Sequence, residues 1–478
     1  MSDSKKLPDF ASAFSDWYQQ VILRAELAEH AAVRGCMVIR PYGYAIWELL
    51  RDELDRRIKS RGVSNVSFPL LIPQSLLARE KDHVAGFSPE CAVVTHAGGE
   101  ALQEPLIVRP TSETIIHESM ARWIGSYRDL PLRLNQWANV IRWERRPRLF
   151  LRNTEFQWQE GHTAHATEAE ARAEVEAVVQ QYHDFVAEVL AIPTVMGRKT
   201  NREKFAGAVE SSSIEGLMPD GKGLQMGTVH YLGQNFSQMA GVKYLDQTGT
   251  NRFVEMTSWG VSTRLIGALI MAHGDAKGLV LPPAVAPYQV VIVPIGRDKN
   301  PDGLDRAVVE ISATLRGHAL RVMVDDREGV SPGAKFYHWE LRGVPLRIEI
   351  GPRDLEAGVV TIMWRTGATH KEVLVRSQLG EISARLAAFQ QDLYRAAEMR
   401  LTARTVPVQA KEDFVRAVND QVGFVQADWC GSDACETAIK DATGATTRNI
   451  PFGHEGEHGP CIWCGAPGRS RVLFARAY

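Results

Sequence analysis

Residues 139–162 read NVIRWERRPRLFLRNTEFQWQEGH. Between Arg142 and Arg152 the stretch carries five arginines against one glutamate, in a chain whose net charge is only −2. It then turns aromatic and acidic, with Phe156, Trp158 and Glu160. The turn RRPR lets a pair of strands extend a basic loop. A guanidinium offers a planar fork of donors to phosphate oxygens, and an aromatic ring can stack on adenine with a second arginine covering the other side. The chemistry that fits is nucleoside triphosphate binding. A solvated basic hairpin above a few core aromatics would look the same in isolation, so the reading depends on what accompanies it.

A length of 478 residues suggests about three domains. The hydrophobic fraction of 45% and charged fraction of 23% are those of a globular protein. With the net charge near zero, any polyanion site must be a local basic patch. MSDSKKLPDFASAFSDW holds no apolar run of signal-peptide length. GLVLPPAVAPYQVVIVPIG, the most apolar region, is broken by prolines and is no membrane span. A cytoplasmic location without membrane contact is expected. Of six cysteines, Cys430, Cys435, Cys461 and Cys464 crowd into the last 49 residues. In a cytosolic chain that clustering points to a metal before disulfides.

Apolar spacing predicts a helix over 12–34, a short strand over 37–40, a helix over 45–58 and strands over 105–110 and 132–141. TEAEARAEVEAVVQQYHDFVAEVL predicts a helix capped by Thr167. Three prolines crowd residues 281–289 and mark a boundary. Strand and helix patterns then alternate up to about residue 400, which predicts an α/β unit with a mostly parallel sheet. The cysteine-bearing tail is a third unit.

Three features stand in order along the chain: a proline-marked element around Pro41, the R-x-E of Arg142–Glu144 followed by Arg152 and Phe156, and TSWGVSTRLIGALI with Gly260 ahead of Arg264. The trio resembles the three motifs of class II aminoacyl-tRNA synthetases. RPTSET (109–114), FQWQEGH (156–162), KFAGA (204–208), LQMGTVHYLGQNF (224–236) and GVPLRIEIGPRD (343–354) resemble prolyl-tRNA synthetases, nearly end to end. Only some 60 residues part FQWQEGH from LQMGT. No large editing insertion fits there, and the final tyrosine also suits the archaeal and eukaryotic-like type.

That resemblance implies a proline–tRNA ligase that forms prolyl-adenylate from proline and ATP and passes proline to the 3′ end of tRNA(Pro). It implies a class II antiparallel-sheet catalytic domain over 1–286, an α/β anticodon-binding domain over 287–400 and a small α+β zinc-type domain over 401–478. A homodimer through the first motif follows. For proline it implies Thr111, Glu113, Arg142, Trp158, Glu160, His162, Phe205, His230, Ser258 and Gly260. For ATP with Mg2+ it implies Arg142, Glu144, Arg152, Phe156, Gln225, Thr228, Ser262 and Arg264, with Arg142 and Arg264 as the catalytic arginines. Glu255 is a candidate carboxylate for the magnesium. For the two guanines of a proline anticodon, Lys335, Glu340, Arg347 and Arg353 are the charged candidates.

The tail spacing C-x4-C, 25 residues, C-x2-C puts four thiolates within reach of one structural Zn2+. His454 and His458 could substitute, although the cysteines suffice. Two other readings compete. A synthetase-like binding protein that had lost ligation would usually lack motif arginines, yet Arg142, Arg152 and Arg264 all stand. A related synthetase for threonine would place metal ligands in the pocket, where this chain has T-x-E and W-x-E-x-H.

Overall fold

The computed structural model describes residues 6–81, 91–366 and 370–478. Its centre is a sheet whose strands lie in the order Val195–Arg198, Glu210–Leu217, Gly223–Gly233, Glu255–Ser262, Glu155–His165 and Leu132–Ile141. Each neighbouring pair is antiparallel. Side chains alternate between faces along a strand. Val229, Tyr231, Trp259 and Val261 therefore share one face and join the main core. Helices Glu168–Val189 and Arg264–His273 cover that face, burying Val178, Val179, Tyr182 and Phe185 from the first and Leu265–His273 throughout from the second. The longer helix begins at the expected Thr167, whose hydroxyl accepts from Glu170 N while the Glu170 carboxylate accepts from Thr167 N. Thr228, His230, Ser258 and Gly260 fall on the other face.

The predicted helix over 12–34 is corrected. The helix is Phe14–Arg24, and the chain then turns through Glu26 at φ 59°. Ala28–His30 pairs antiparallel with Met37–Ile39 instead. Leu27 and Ala28 stay fully buried, so the apolar pattern continues while the backbone changes. The next helix runs Pro41–Lys59, with Pro41 at its first position, where a missing N–H costs nothing.

A second sheet has the order Val322–Val324, Val290–Pro294, Leu346–Ile350, Val359–Trp364 and Lys371–Val375. Its first three strands are parallel and Val359–Trp364 runs antiparallel to both its neighbours, so the expected mostly parallel sheet carries one reversed strand. A parallel return needs a crossover of a dozen or more residues. Only Gly351, the short helix Pro352–Ala357 and Gly358 separate the strands Leu346–Ile350 and Val359–Trp364.

The central sheet continues into the C-terminal region. Strand Thr446–Pro451 pairs with Val195–Arg198 through Ile450↔Arg198 and Pro451↔Gly197. Beyond it lie Pro467–Ala475, Phe424–Trp429 and Thr405–Pro407. Gly197 makes the junction possible, because a Cβ there would stand 2.3 Å from the Ile450 carbonyl oxygen.

Candidate active site

Strand register assembles the site in rows. His162 stands opposite Ser258, and Ser258 opposite His230. One step along, Glu160 faces Gly260 and Gly260 faces Thr228; beyond that, Trp158 faces Ser262. W-x-E-x-H, S-x-G-x-S and T-x-H thus present one surface because residues two apart share a face. The intervening Gly161 is required by Trp259, whose ring a Cβ would meet at 2.2 Å.

The floor is acidic and buried. Thr111 donates its hydroxyl proton to the Glu113 carboxylate at the start of helix Glu113–Trp123. Glu160 Oε1 accepts from Ser112 Oγ and from Gln136 Nε2, each at 2.6 Å. Its Oε2 lies 3.0 Å from His162 Nε2. Burial alone would raise the Glu160 pKa, but the bonds from His162, Ser112 and Gln136 outweigh it and hold the carboxyl below its usual range. Burial pushes the His162 ring down, and the bond and charge of Glu160, with the charge of Glu113, carry it above its ordinary value.

Cations cap this floor. Arg142 donates Nε–H to the Pro110 carbonyl at 2.8 Å. Its guanidinium lies over the Trp158 ring at 5.3 Å and the Phe156 ring at 5.6 Å. Burial pulls the Arg142 pKa down against the charges of Glu113 and Glu160. The group is ringed by protein yet open to solvent on one side, which softens that pull. Arg264 opens the helix Arg264–His273, and burial plus the charges of Arg142, Arg152 and Arg448 bring it down to about 10. On the far wall Phe205 stacks on His230 at 4.8 Å, and His230 Nδ1 lies 2.7 Å from Ser211 Oγ. Burial, then His162, Arg142 and Lys199, pushes His230 to about 3, so its ring is neutral.

One cavity is lined by Thr111, Glu113, Arg142, Trp158, Glu160, His162, Phe205, His230, Ser258 and Gly260, together with Gln225, Thr228, Ser262 and Arg264. Glu144, Arg152 and Phe156 lie outside that lining. Glu144 Oε1 accepts from Arg146 N at 2.7 Å, Arg152 is exposed, and Phe156 packs edge-on to Trp158 at 6.0 Å. Glu255, the magnesium candidate, lies outside the lining as well, accepting from Tyr231 Oη at 2.7 Å and Gln234 Nε2 at 2.9 Å. Sequence reasoning missed Lys199, Glu203, Ser211 and Trp259 in the lining. Trp158 Nε1, Ser258 Oγ and His162 Nδ1 are buried without a hydrogen-bond partner among the described residues. Each such atom costs about 1–3 kcal/mol.

Elsewhere, Lys335 is buried, with Nζ donating to the Asp325 carbonyl at 3.0 Å. Glu340 pairs with Lys277 at 2.9 Å and Arg347 with Glu349 at 2.9 Å, while Arg353 is exposed. The Sγ atoms of Cys430, Cys435, Cys461 and Cys464 lie within 4.8 Å of one another. Cys435–Cys461 and Cys430–Cys464 are 3.6 and 3.7 Å apart. Four sulfurs around a zinc ion at about 2.3 Å would stand about 3.8 Å from each other, so the set fits a tetrahedral ion. His458 Nε2 lies 2.9 Å from the His454 carbonyl oxygen, and neither ring belongs to the sulfur cluster.

Residues 97–273 match the tRNA synthetase class II core domain (G, H, P, S and T), residues 289–385 the anticodon binding domain, and residues 411–478 the prolyl-tRNA synthetase C-terminal domain. Proline–tRNA ligase 2 of Rhodococcus jostii is 51% identical, over 97% of each chain. Proline–tRNA ligase of Chlorobium limicola is 50% identical, over 99% of each chain. The chain belongs to the prolyl-tRNA synthetases. The crystal structure of prolyl-tRNA synthetase from Cryptosporidium parvum, complexed with halofuginone and AMPPNP, superimposes with a TM-score of 0.93 at 40% identity. The match covers 98% of this chain and 99% of that one. The synthetase is therefore an aminoacyl-tRNA ligase with a class II core, an anticodon-binding domain and a C-terminal domain. Among its described residues no helix is long and apolar enough to cross a membrane.

Proposed function

We propose that this cavity holds proline and ATP together, forms prolyl-adenylate and delivers proline to the 3′ end of tRNA(Pro). One observation carries the reading: the buried acceptors Thr111, Glu113 and Glu160 face the guanidiniums of Arg142 and Arg264 in a single cavity. Proline needs that arrangement. Its ammonium takes acceptors, its carboxylate a cation, and its apolar ring the walls of Trp158 and Phe205. The neutral His230 holds the Phe205 wall in register, the Glu160–His162 pair forms the floor, and Ser258 and Gly260 continue that floor beside it.

For ATP, Arg142 reaches the α-phosphate, Arg152 the γ-phosphate and Glu144 the adenine edge. Phe156 and Arg264 flank the base, and Gln225, Thr228 and Ser262 meet ribose and phosphates. The proline carboxylate attacks the α-phosphorus and pyrophosphate leaves. The terminal ribose hydroxyl of the tRNA then attacks the adenylate carbonyl, AMP leaves, and the ester forms. No protein nucleophile is needed, because placement and charge stabilisation do the work. Magnesium bound with the triphosphate would supply charge neutralisation. Cys430, Cys435, Cys461 and Cys464 would hold a zinc ion, which would supply a structural cross-link.

The insertion-free, archaeal and eukaryotic-like type is part of the proposal. Between His165 and Gly223 the chain spends its length on the helix Glu168–Val189, the strands Val195–Arg198 and Glu210–Leu217, and their turns. Editing in cis has no domain there. A cytoplasmic homodimer pairing through the element at Pro41 completes the reading. Arg353, with Glu340, Arg347 and Lys335 nearby in sequence, is proposed for the anticodon side. Charging total tRNA with each of the twenty amino acids tests the function. Proline should be esterified far ahead of the rest. Equal charging by alanine, or none by proline, would contradict it.

A further inference from the structure

The segment 197–202 is gripped from the C-terminal domain. Gly197 and Arg198 pair with Pro451 and Ile450. Lys199 Nζ donates to the Arg448 carbonyl at 2.6 Å and to Glu215 Oε1 at 2.7 Å. The Arg448 guanidinium takes the other oxygen of Glu215, through Nε at 3.1 Å and Nη2 at 2.8 Å. Thr200 Oγ1 donates to Glu436 Oε1 at 3.0 Å. The triad is dry, with side-chain exposures of 3% for Lys199, 0% for Glu215 and 7% for Arg448.

A buried ion triad is a poor source of net stability, because desolvation cancels most of the Coulomb gain. What it does provide is a fixed geometry. Lys199 lines the cavity, and Glu203 and Phe205 line it a few residues further on. Phe205 in turn stacks on His230. The mechanism above uses neither Lys199 nor Arg448.

We propose that Arg448 is a positioning residue for the amino-acid half of the cavity. Through Glu215 it fixes Lys199, and with Lys199 the start of the segment that ends at Phe205. The C-terminal domain is then a working part of the proline pocket. The inference rests on the reading of that pocket as the proline site.

The test is steady-state ATP–pyrophosphate exchange on the full chain, with KM for proline and for ATP and kcat measured separately, alongside thermal melting. R448M should raise the proline KM about tenfold or more while the ATP KM moves by about twofold at most. R448K should recover part of the loss. The double variant R448M/E215Q should be no worse than E215Q, because Arg448 acts through Glu215. A folded R448M with the wild-type proline KM would overturn the proposal. So would equal changes in both KM values that track a lowered melting temperature without rescue by R448K. If R448M does not fold, R448K decides: a proline-selective rise in KM supports the role, and an unchanged KM overturns it. Loss of proline-dependent exchange in the wild type would instead sink the reading of the pocket itself.

Discussion

Glu160 Oε2 and His162 Nε2 meet at 3.0 Å on the cavity floor, with both side chains 2% exposed. The contact gives folding stability a pH window. The His162 pKa is raised, so the protonated ring contributes fully below 6.5 and its contribution is lost as pH rises through the folded value. The Glu160 pKa is depressed, so the carboxylate contributes above 4.5 and its contribution is lost as pH falls through the folded value. Stability against denaturant should stay flat between those limits and fall on the alkaline side. H162Q should lose the alkaline limb. Superimposable pH profiles for the two proteins would refute the pairing.

Glu113 is 5% exposed and shares its charge with the Thr111 hydroxyl. Replacing it by the isosteric amide removes a charged acceptor for the proline ammonium. E113Q should raise the proline KM about ten- to a hundredfold, the worth of one charged hydrogen bond, and leave the ATP KM nearly unchanged. Exchange kinetics over a proline series would show this. An equal rise for both substrates would move Glu113 out of the amino-acid pocket.

Gly161 lies under the Trp259 ring, and a methyl group would fall 2.2 Å from it. Trp259 is 3% exposed and pinned in the main core, so the ring has little room to yield. G161A should destabilise the protein by about 3 kcal/mol through overpacking. Denaturant unfolding measures the change. A neutral substitution would mean that the sheet shifts to admit the methyl.

The four sulfurs of Cys430, Cys435, Cys461 and Cys464 should hold about one zinc ion per chain. C461S should release the ion and lower stability by roughly several kcal/mol, since the metal's binding energy is folding energy. Metal analysis of the purified protein, before and after substitution, checks both. A fully folded wild-type protein with no bound metal would contradict the assignment.

Much of the site was legible because residue type and strand period coincide. W-x-E-x-H alternates polar and aromatic groups at the spacing that puts Trp158, Glu160 and His162 on one face. The T-x-E of Thr111 and Glu113 is local in the same way. Lys199 was not legible, because its partners Glu215 and Arg448 stand 16 and 249 residues away in the chain. Long-range pairing of this kind leaves no periodic trace. Lys335 taught the complementary lesson: a lysine on a helix reads as solvated, yet this one is buried against the Asp325 carbonyl. The helix predicted to run to residue 34 failed at Glu26, where one left-handed residue ended it while the apolar pattern ran on.

In the proposed mechanism one guanidinium, Arg142, links the two substrates. It lies over Trp158 and Phe156 and feels the charges of Glu113 and Glu160. Proline-dependent ATP–pyrophosphate exchange in R142A against wild type tests it most directly. Wild type should exchange with proline, and R142A should lose about a hundred- to a thousandfold in kcat, the range for removing one transition-state charge donor. Exchange within a fewfold of wild type, in a folded R142A protein, would contradict the account.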